Sequence, residues 1–134
     1  MSSTDPERNG GKRMERTALP HDHGEKDMPG SLREQAAKAE RFQTVGSFFR
    51  QLGDPSRVRI FWILCHCEEC VINLSAMVDM TSPAVSHHLR SLKDCGLIVS
   101  RRQGKEVYYR ASDTEQCRAL HEMIEEMMKI TCPE

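Results

Sequence analysis

The sequence predicts a mainly α-helical fold closed by one small β-hairpin, and three observations predict it. Apolar residues recur at three- and four-residue steps in several separate stretches, two of these stretches open on a polar cap followed by proline, and two short β-rich runs flank the turn Gln103-Gly104. The chain has 134 residues, near the size of one domain, which excludes two full ones. With 38% hydrophobic and 29% charged residues it can build one small core but not bury its whole length.

The uncommitted part is the N-terminus. Residues 1–30 carry Pro6, Pro20 and Pro29, four glycines and many charges with almost no apolar spacing, so they are expected to form a disordered arm, leaving 31–134 as the folded domain. From Ser31, expected as an N-cap, Leu32, Ala36, Ala39, Phe42, Val45, Phe48, Phe49 and Leu52 trace one amphipathic helix up to Gly53. Asp54-Pro55-Ser56 starts the next, with Asp54 as cap and Pro55 at the first helical position. Val58, Ile60, Phe61, Trp62, Ile63 and Leu64 make that helix apolar on most faces, so it belongs in the core.

After Cys65-His66-Cys67-Glu68-Glu69-Cys70 a short helix is expected from about Asn73 to Val78. Ser82-Pro83 then opens another, which carries Ala84, Val85, Leu89 and Leu92 and stops at Gly96. Two short helices joined by Asp79 to Thr81 form a helix-turn-helix. Leu97 to Arg102 and Glu106 to Arg110 read as a hairpin, and Asp113 is expected to cap a last helix bearing Leu120, Met123, Ile124, Met127, Met128 and Ile130.

Charge is distributed unevenly within a net −1. Residues 81–110 carry a local +4 and residues 111–134 a local −4, which points to a polyanion-binding face rather than general adhesion to nucleic acid. Base edges in a major groove are reached by short polar and basic side chains on the exposed N-terminal face of a recognition helix. Thr81, Ser82, Ser86, His87 and Arg90 meet that requirement. Arg101, Arg102, Gln103 and Lys105 sit at the hairpin tip, where phosphates or a minor groove are in reach. His88, Tyr108 and Tyr109 are read as packing or hairpin residues rather than readers. Helix-turn-helix followed by a basic hairpin is a winged helix, and its expected partner is double-stranded operator DNA.

No stretch approaches the roughly 20 apolar residues of a membrane span, and no apolar signal core opens the sequence, so the protein is expected to be cytoplasmic, without a membrane partner. Its six cysteines would be held reduced there, which favours metal or thiol-redox chemistry over a disulfide framework. Cys65, Cys67 and Cys70 form Cys-x-Cys-x-x-Cys, and three thiolates within six residues can meet on one ion if the backbone turns. They suit Cd, Pb, Zn or trigonal As(III), whereas Mg prefers oxygen.

Leu52-Gly53-Asp54-Pro55-Ser56-Arg57-Val58-Arg59-Ile60, Ser82-Pro83-Ala84-Val85-Ser86-His87-His88-Leu89-Arg90-Ser91-Leu92-Lys93 with Gly96-Leu97-Ile98, and Arg101-Arg102-Gln103-Gly104-Lys105-Glu106-Val107-Tyr108-Tyr109 together resemble the ArsR/SmtB metalloregulatory repressors. The resemblance implies a homodimer held by the first and last helices, which leaves its operator when a metal inducer binds. The Met-rich last helix suits such an interface, and a two-fold dimer would read a palindrome. Counting back from Pro83, the family's Glu-Leu-Cys-Val-Cys-Asp-Leu falls on Glu68 to Leu74, so Cys70 alone lands on a family cysteine and Ile72 replaces the second. The family's second zinc site would fall on Asp113-Thr114-Glu115 and on Glu126 with Lys129, without its histidines. Cys132, near the end of the dimer helix, is expected to approach the partner's cysteine segment and add a ligand, while Cys95 and Cys117 are read as packing residues. His21 and His23 offer a further His-x-His in the arm, and His121 reads as a surface or interface residue.

Two rivals stay open. Cys67-Glu68-Glu69-Cys70 also has Cys-x-x-Cys spacing, so the same fold could sense thiol oxidation. A protein-interaction module is the other. Enzymes are not expected: the Cys-x-x-Cys follows a helix rather than the strand of a βαβ unit, and no phosphate-cradling glycine loop or hydrolytic triad appears.

Overall fold

The computed structural model describes residues 19–21 and 30–134. Most of the expected arm, including His23, lies outside the described residues. The chain divides into two units between Gln43 and Thr44, a boundary inside the second helix. The elements run α1 (Gly30–Ala36), α2 (Ala39–Gln51), α3 (Pro55–His66), β1 (Glu69–Cys70), α4 (Val71–Val78), α5 (Ser82–Asp94), β2 (Ile98–Gln103), β3 (Glu106–Ala111) and α6 (Glu115–Thr131).

The expected first helix is therefore two. It begins at Gly30, which puts Ser31 inside it rather than at its cap, and it breaks at Ala37-Lys38, where the Ala39 N–H bonds back to the Ala37 carbonyl at 3.0 Å. The residues at the break are good helix formers, so the interruption is not one of local propensity. Neither α1 nor α2 contributes a buried residue.

Helix α3 is the centre of the second unit. Asp54 caps it, its carboxylate accepting from the Arg57 N–H at 2.9 Å, and Pro55 occupies the first turn, where its missing N–H costs nothing. Ile60, Phe61, Ile63 and Leu64 are buried, and α3 packs against α4, α5, β3 and α6. Leu74, Val78, Val85, Leu89, Leu92, Leu97, Ile98, Cys117 and Leu120 complete the core.

Between α4 and α5 the chain turns at Asp79, which takes a left-handed conformation (φ 57°) that a short polar side chain tolerates. Arg59 donates to the Met77 and Val78 carbonyls at 3.2 and 3.5 Å, satisfying the end of α4 and fixing it to α3. The wing is the antiparallel pair β2–β3, running from Ile98↔Ala111 to Gln103↔Glu106. Gly104 (φ +66°) leads the two-residue turn, the place where a hairpin needs glycine.

Three expectations are corrected. Thr81, not Ser82, caps α5: with Pro83 lacking an N–H, the donor within reach is that of Ala84, 3.3 Å from the Thr81 hydroxyl. Thr114, not Asp113, caps α6 by accepting from the Cys117 N–H at 3.1 Å, and Asp113 instead pairs with Arg118 at 2.8 Å. Helix α4 begins at Val71 rather than Asn73, because Glu69 and Cys70 form a short strand on β3, with Glu69↔Tyr109 and Cys70↔Tyr108 in register, and the sheet order is β1-β3-β2.

Phe61 has no exposed surface. Phe61→Ala is expected to cost about 3–5 kcal/mol, read as a fall in the urea midpoint by circular dichroism. A loss below about 1 kcal/mol would show that the core is not centred on α3.

Candidate DNA interface and metal centre

Helix α5 buries Val85, Leu89 and Leu92 and turns its other face outward. Thr81, Ser82, His87 and Arg90 are exposed and Ser86 is half-buried, so the residues singled out as readers share the start and outer face of one helix. Ser82 Oγ lies 3.2 Å from Ser75 Oγ, joining the first turn of α5 to α4. His88 turns inward, as its reading as a packing residue expected. Its Nδ1 accepts from Arg57 Nε at 3.2 Å, which leaves its proton on Nε2, 3.8 Å from the Asp54 carboxylate. Burial foremost, and the Arg57 charge after it, push its pKa down, so it stays neutral. The cap of α3 and the recognition helix are thereby tied together.

On the wing, Arg101, Arg102, Gln103 and Lys105 are all exposed, but they are not equivalent. Arg101 grips Glu68 with two hydrogen bonds, Nε to Oε2 at 2.8 Å and Nη2 to Oε1 at 2.7 Å. It also donates to Gln103 at 2.6 Å and lies over the Tyr108 ring, 5.0 Å from its centroid. The bond to Arg101 holds the Glu68 carboxyl below the usual carboxylate range. Arg102 and Lys105 make no ion pair among the described residues. Glu68 belongs to the cysteine segment, so this segment and the wing are directly connected, a link that sequence spacing could not display.

The three cysteines of Cys-x-Cys-x-x-Cys take three different environments. Cys65 is half-buried on α3; Cys67 is exposed at its C-cap, with Sγ 3.6 Å from the Ile63 carbonyl; Cys70 is buried at the start of α4. Cys65 and Cys67 line one open cavity of about 440 Å³, which Cys117 also reaches, but Cys70 is not part of its lining. In this conformation the three thiols do not converge on one point, so a three-thiolate centre would require the segment to rearrange. Burial, then the neighbouring Cys117 and Glu125, push the Cys65 thiol up to about 12, which keeps it protonated at neutral pH. Cys132 is exposed at the end of α6, with Sγ 3.6 Å from the Thr131 hydroxyl. Cys117 is a core residue, its thiol donating to the Leu97 carbonyl at 3.2 Å.

Another set of donors does converge. His66, at the end of α3, meets His121 and Glu125 of α6, and their donor atoms lie within 4.8 Å of one another. Sequence reading passed over it because His66 was seen only as a spacer between cysteines and His121 as a surface residue. The available signal was the four-residue step from His121 to Glu125, which puts both on one helix face. At the family's second zinc position, Asp113 is paired with Arg118, and Glu126 lies 4.0 Å from Lys129.

The contrast among thiols has a chemical consequence. In reduced, metal-free protein at about pH 8, iodoacetamide is expected to modify Cys67 and Cys132 well before Cys65, as followed by peptide mass spectrometry. The raised thiol pKa leaves Cys65 protonated through neutral pH, with thiolate appearing only as the pH climbs toward about 12. Modification of Cys65 first would contradict its half-buried, protonated state.

Residues 54–100 match the family described as "Bacterial regulatory protein, arsR family". The chain is 34% identical over 90 residues to the transcriptional repressor SmtB homolog of Synechocystis sp., covering 67% of this chain and 68% of that protein. It is 40% identical over 76 residues to the cadmium resistance transcriptional regulatory protein CadC of Listeria innocua, covering 54% of this chain and 64% of the relative. Among solved structures, the homodimeric winged helix-turn-helix DNA-binding domain of a possible ArsR-family transcriptional regulator from Mycobacterium bovis superposes with a TM-score of 0.63 at 25% identity, covering 72% of this chain and 88% of that domain. Architecture, sequence and structural likeness agree on a family of transcriptional regulators, not enzymes: the chain is a winged helix-turn-helix protein of the ArsR/SmtB family.

Proposed function

We propose that this chain is a cytoplasmic, metal-responsive repressor that binds operator DNA as a homodimer and is released by a thiophilic metal or metalloid ion. The observation that carries the DNA half is the outward face of α5, where Thr81, Ser82, His87 and Arg90 lie exposed on the same unit as the exposed wing residues Arg102 and Lys105. Ser86, Arg101 and Gln103 complete the contact set, Arg101 exchanging its Glu68 partner for a phosphate. Phosphate contacts would give affinity and the α5 side chains would give sequence preference. No helix among the described residues is long and apolar enough to cross a membrane.

The dimer is supported by the apolar side chains left exposed on α2 and α6, among them Val45, Phe49, Met127 and Ile130, and by the homodimeric Mycobacterium bovis domain. The metal half is supported by the cadmium-resistance regulator among its relatives and by Cys65 and Cys67 in one cavity, with Cys70 and Cys132 as further ligands once the segment moves. Zn, Cd, Pb and As(III) are the inducers that thiolates suit. By linkage, DNA affinity falls where the ion-bound form of the dimer is the DNA-free one, and a coupling of ~1–3 kcal/mol corresponds to about 5- to 150-fold. The thiol-oxidation reading keeps the same DNA interface and would act in metal-free buffer.

The test is fluorescence anisotropy of the reduced, metal-free protein on its own upstream DNA, titrated with Cd, Pb, Zn and arsenite, beside a Cys65/Cys67/Cys70→Ser variant and Cys132→Ser. Release by one ion in the wild type, lost in the triple variant, is expected. Tight binding indifferent to every ion overturns the metal half and turns attention to oxidation. On the same DNA, Arg102→Ala is expected to weaken binding on all sequences and reduce the salt slope by ~1. Glu68→Gln, which frees Arg101, is expected to tighten binding and steepen that slope. An unchanged slope in both variants would remove the wing from the interface.

A further inference from the structure

We propose that His66, His121 and Glu125 form a second metal site, separate from the cysteines, for a borderline divalent cation such as Zn, Co or Ni. The argument begins with the triangle these groups make. His66 Nε2 and His121 Nε2 are 3.1 Å apart, His66 Nε2 is 3.5 Å from Glu125 Oε2, and His121 Nε2 is 3.4 Å from the same oxygen. Ligand bonds of ~2.0–2.1 Å in a tetrahedron place neighbouring donors ~3.3–3.4 Å apart. The three edges bracket that separation, so one ion just out of their plane is within bonding distance of all three without a backbone movement.

The protonation chemistry agrees with the geometry. Two Nε2 atoms facing each other at 3.1 Å cannot both carry a proton, so at least one presents a lone pair. The carboxylate beside them is held ready: Trp62 Nε1 donates to Glu125 Oε2 at 2.7 Å, the outer-shell contact that orients metal-binding carboxylates. That bond, with the two histidines, keeps the Glu125 carboxyl below its ordinary range. A cation placed there would take the lone pair of each Nε2, the proton on one of them moving to its Nδ1, and would offset the carboxylate charge.

Access and selectivity follow from the surroundings. His66 and His121 line the 440 Å³ cavity, so a hydrated ion can reach them and keep a water in the fourth position. Two imidazoles with one carboxylate select Zn, Co or Ni over Ca and Mg, which take oxygen, and over the softest ions, which take thiolates. The donors come from α3 and α6, so an occupied site would clamp the last helix to the core helix. It uses neither DNA nor the Cys-x-Cys-x-x-Cys thiols, so it stands apart from the repressor reading.

Trp62 is the single tryptophan, it donates to Glu125, and its ring lies 4.4 Å from that of His66, so it reports the site directly. The full-length, reduced, metal-free protein is titrated with Co(II), following Trp62 quenching and the visible and near-ultraviolet absorption, without DNA. Expected is one Co(II) per chain that quenches Trp62 and persists in a Cys65→Ser/Cys67→Ser variant with ligand-field bands but no thiolate charge transfer. His121→Gln and Glu125→Gln should each weaken it at least tenfold. Glu125→Gln retains an oxygen for Trp62 and guards against a folding defect in the histidine variant, with circular dichroism as the check on both. Unchanged affinity in a folded Glu125→Gln variant overturns the proposal, as does loss of all Co(II) binding in the cysteine variant. A failed operator assay with intact Co(II) binding would count against the repressor reading alone.

Discussion

Helix α3 has almost no face to give to solvent. Ile60, Phe61, Ile63 and Leu64 are buried, while Trp62 and Cys65 pack on the same core, so α4, α5, β3 and α6 must all dock onto it from different sides. A helix that is apolar around most of its circumference is stable only when enclosed. The orientation of the recognition helix, the wing and the last helix is thus set by how each covers α3. The apolar area that stabilises the domain is also what places its functional groups.

The two ends of α3 carry different consequences. At its N-terminus, Asp54 does two things at once: it caps the helix and it faces the Nε2–H of His88, whose other nitrogen accepts from Arg57. That arrangement ties Asp54, Arg57 and His88 together and leaves the neighbouring His87 exposed. At its C-terminus the helix ends in Cys65, His66 and Cys67, delivering two thiols and an imidazole to the edge of one cavity. The helix ends there because Cys67 takes an extended conformation (φ −155°), and the chain goes on to add β1 to the edge of the wing.

Local and periodic features were legible in the sequence for a physical reason: they depend on a few adjacent residues. Asp54 before Pro55, the 3.6-residue apolar stripe of α5 and the glycine at the hairpin turn each announce their structure, and each is found within a residue or two of its expected place. Cap identities slipped by one residue at Thr81 and Thr114, where two capping residues stand side by side and only the position of the reachable N–H decides between them. The two-residue strand β1 was illegible because it exists only through its pairing with Tyr108 and Tyr109. Contacts between distant residues, Glu68 with Arg101 and His66 with His121 and Glu125, were illegible for the same reason. The Cys-x-Cys-x-x-Cys spacing could not show how its thiols are disposed, since a helix end, a short strand and a second helix divide the six residues.

How a change among those six residues can be felt at the proposed DNA face depends on which connections leave them. Glu68 holds Arg101, and an exposed ion pair by itself is too weak to carry much coupling. The backbone connection is stronger: Glu69 and Cys70 are hydrogen-bonded into the same sheet as the wing, and Cys70 is buried where α4 begins. Moving Cys70 toward Cys67 would strain the β1–β3 pairing and displace the start of α4, whose Ser75 further along touches Ser82 at the start of α5. In the proposed mechanism, convergence of the three thiols therefore competes with the present seating of the wing and α5. Such competition is what linkage requires of the proposed sensor, in which ligand binding and DNA binding favour different arrangements. By contrast, the His66, His121 and Glu125 triangle is already assembled while the sheet is intact, so occupying it demands no such exchange.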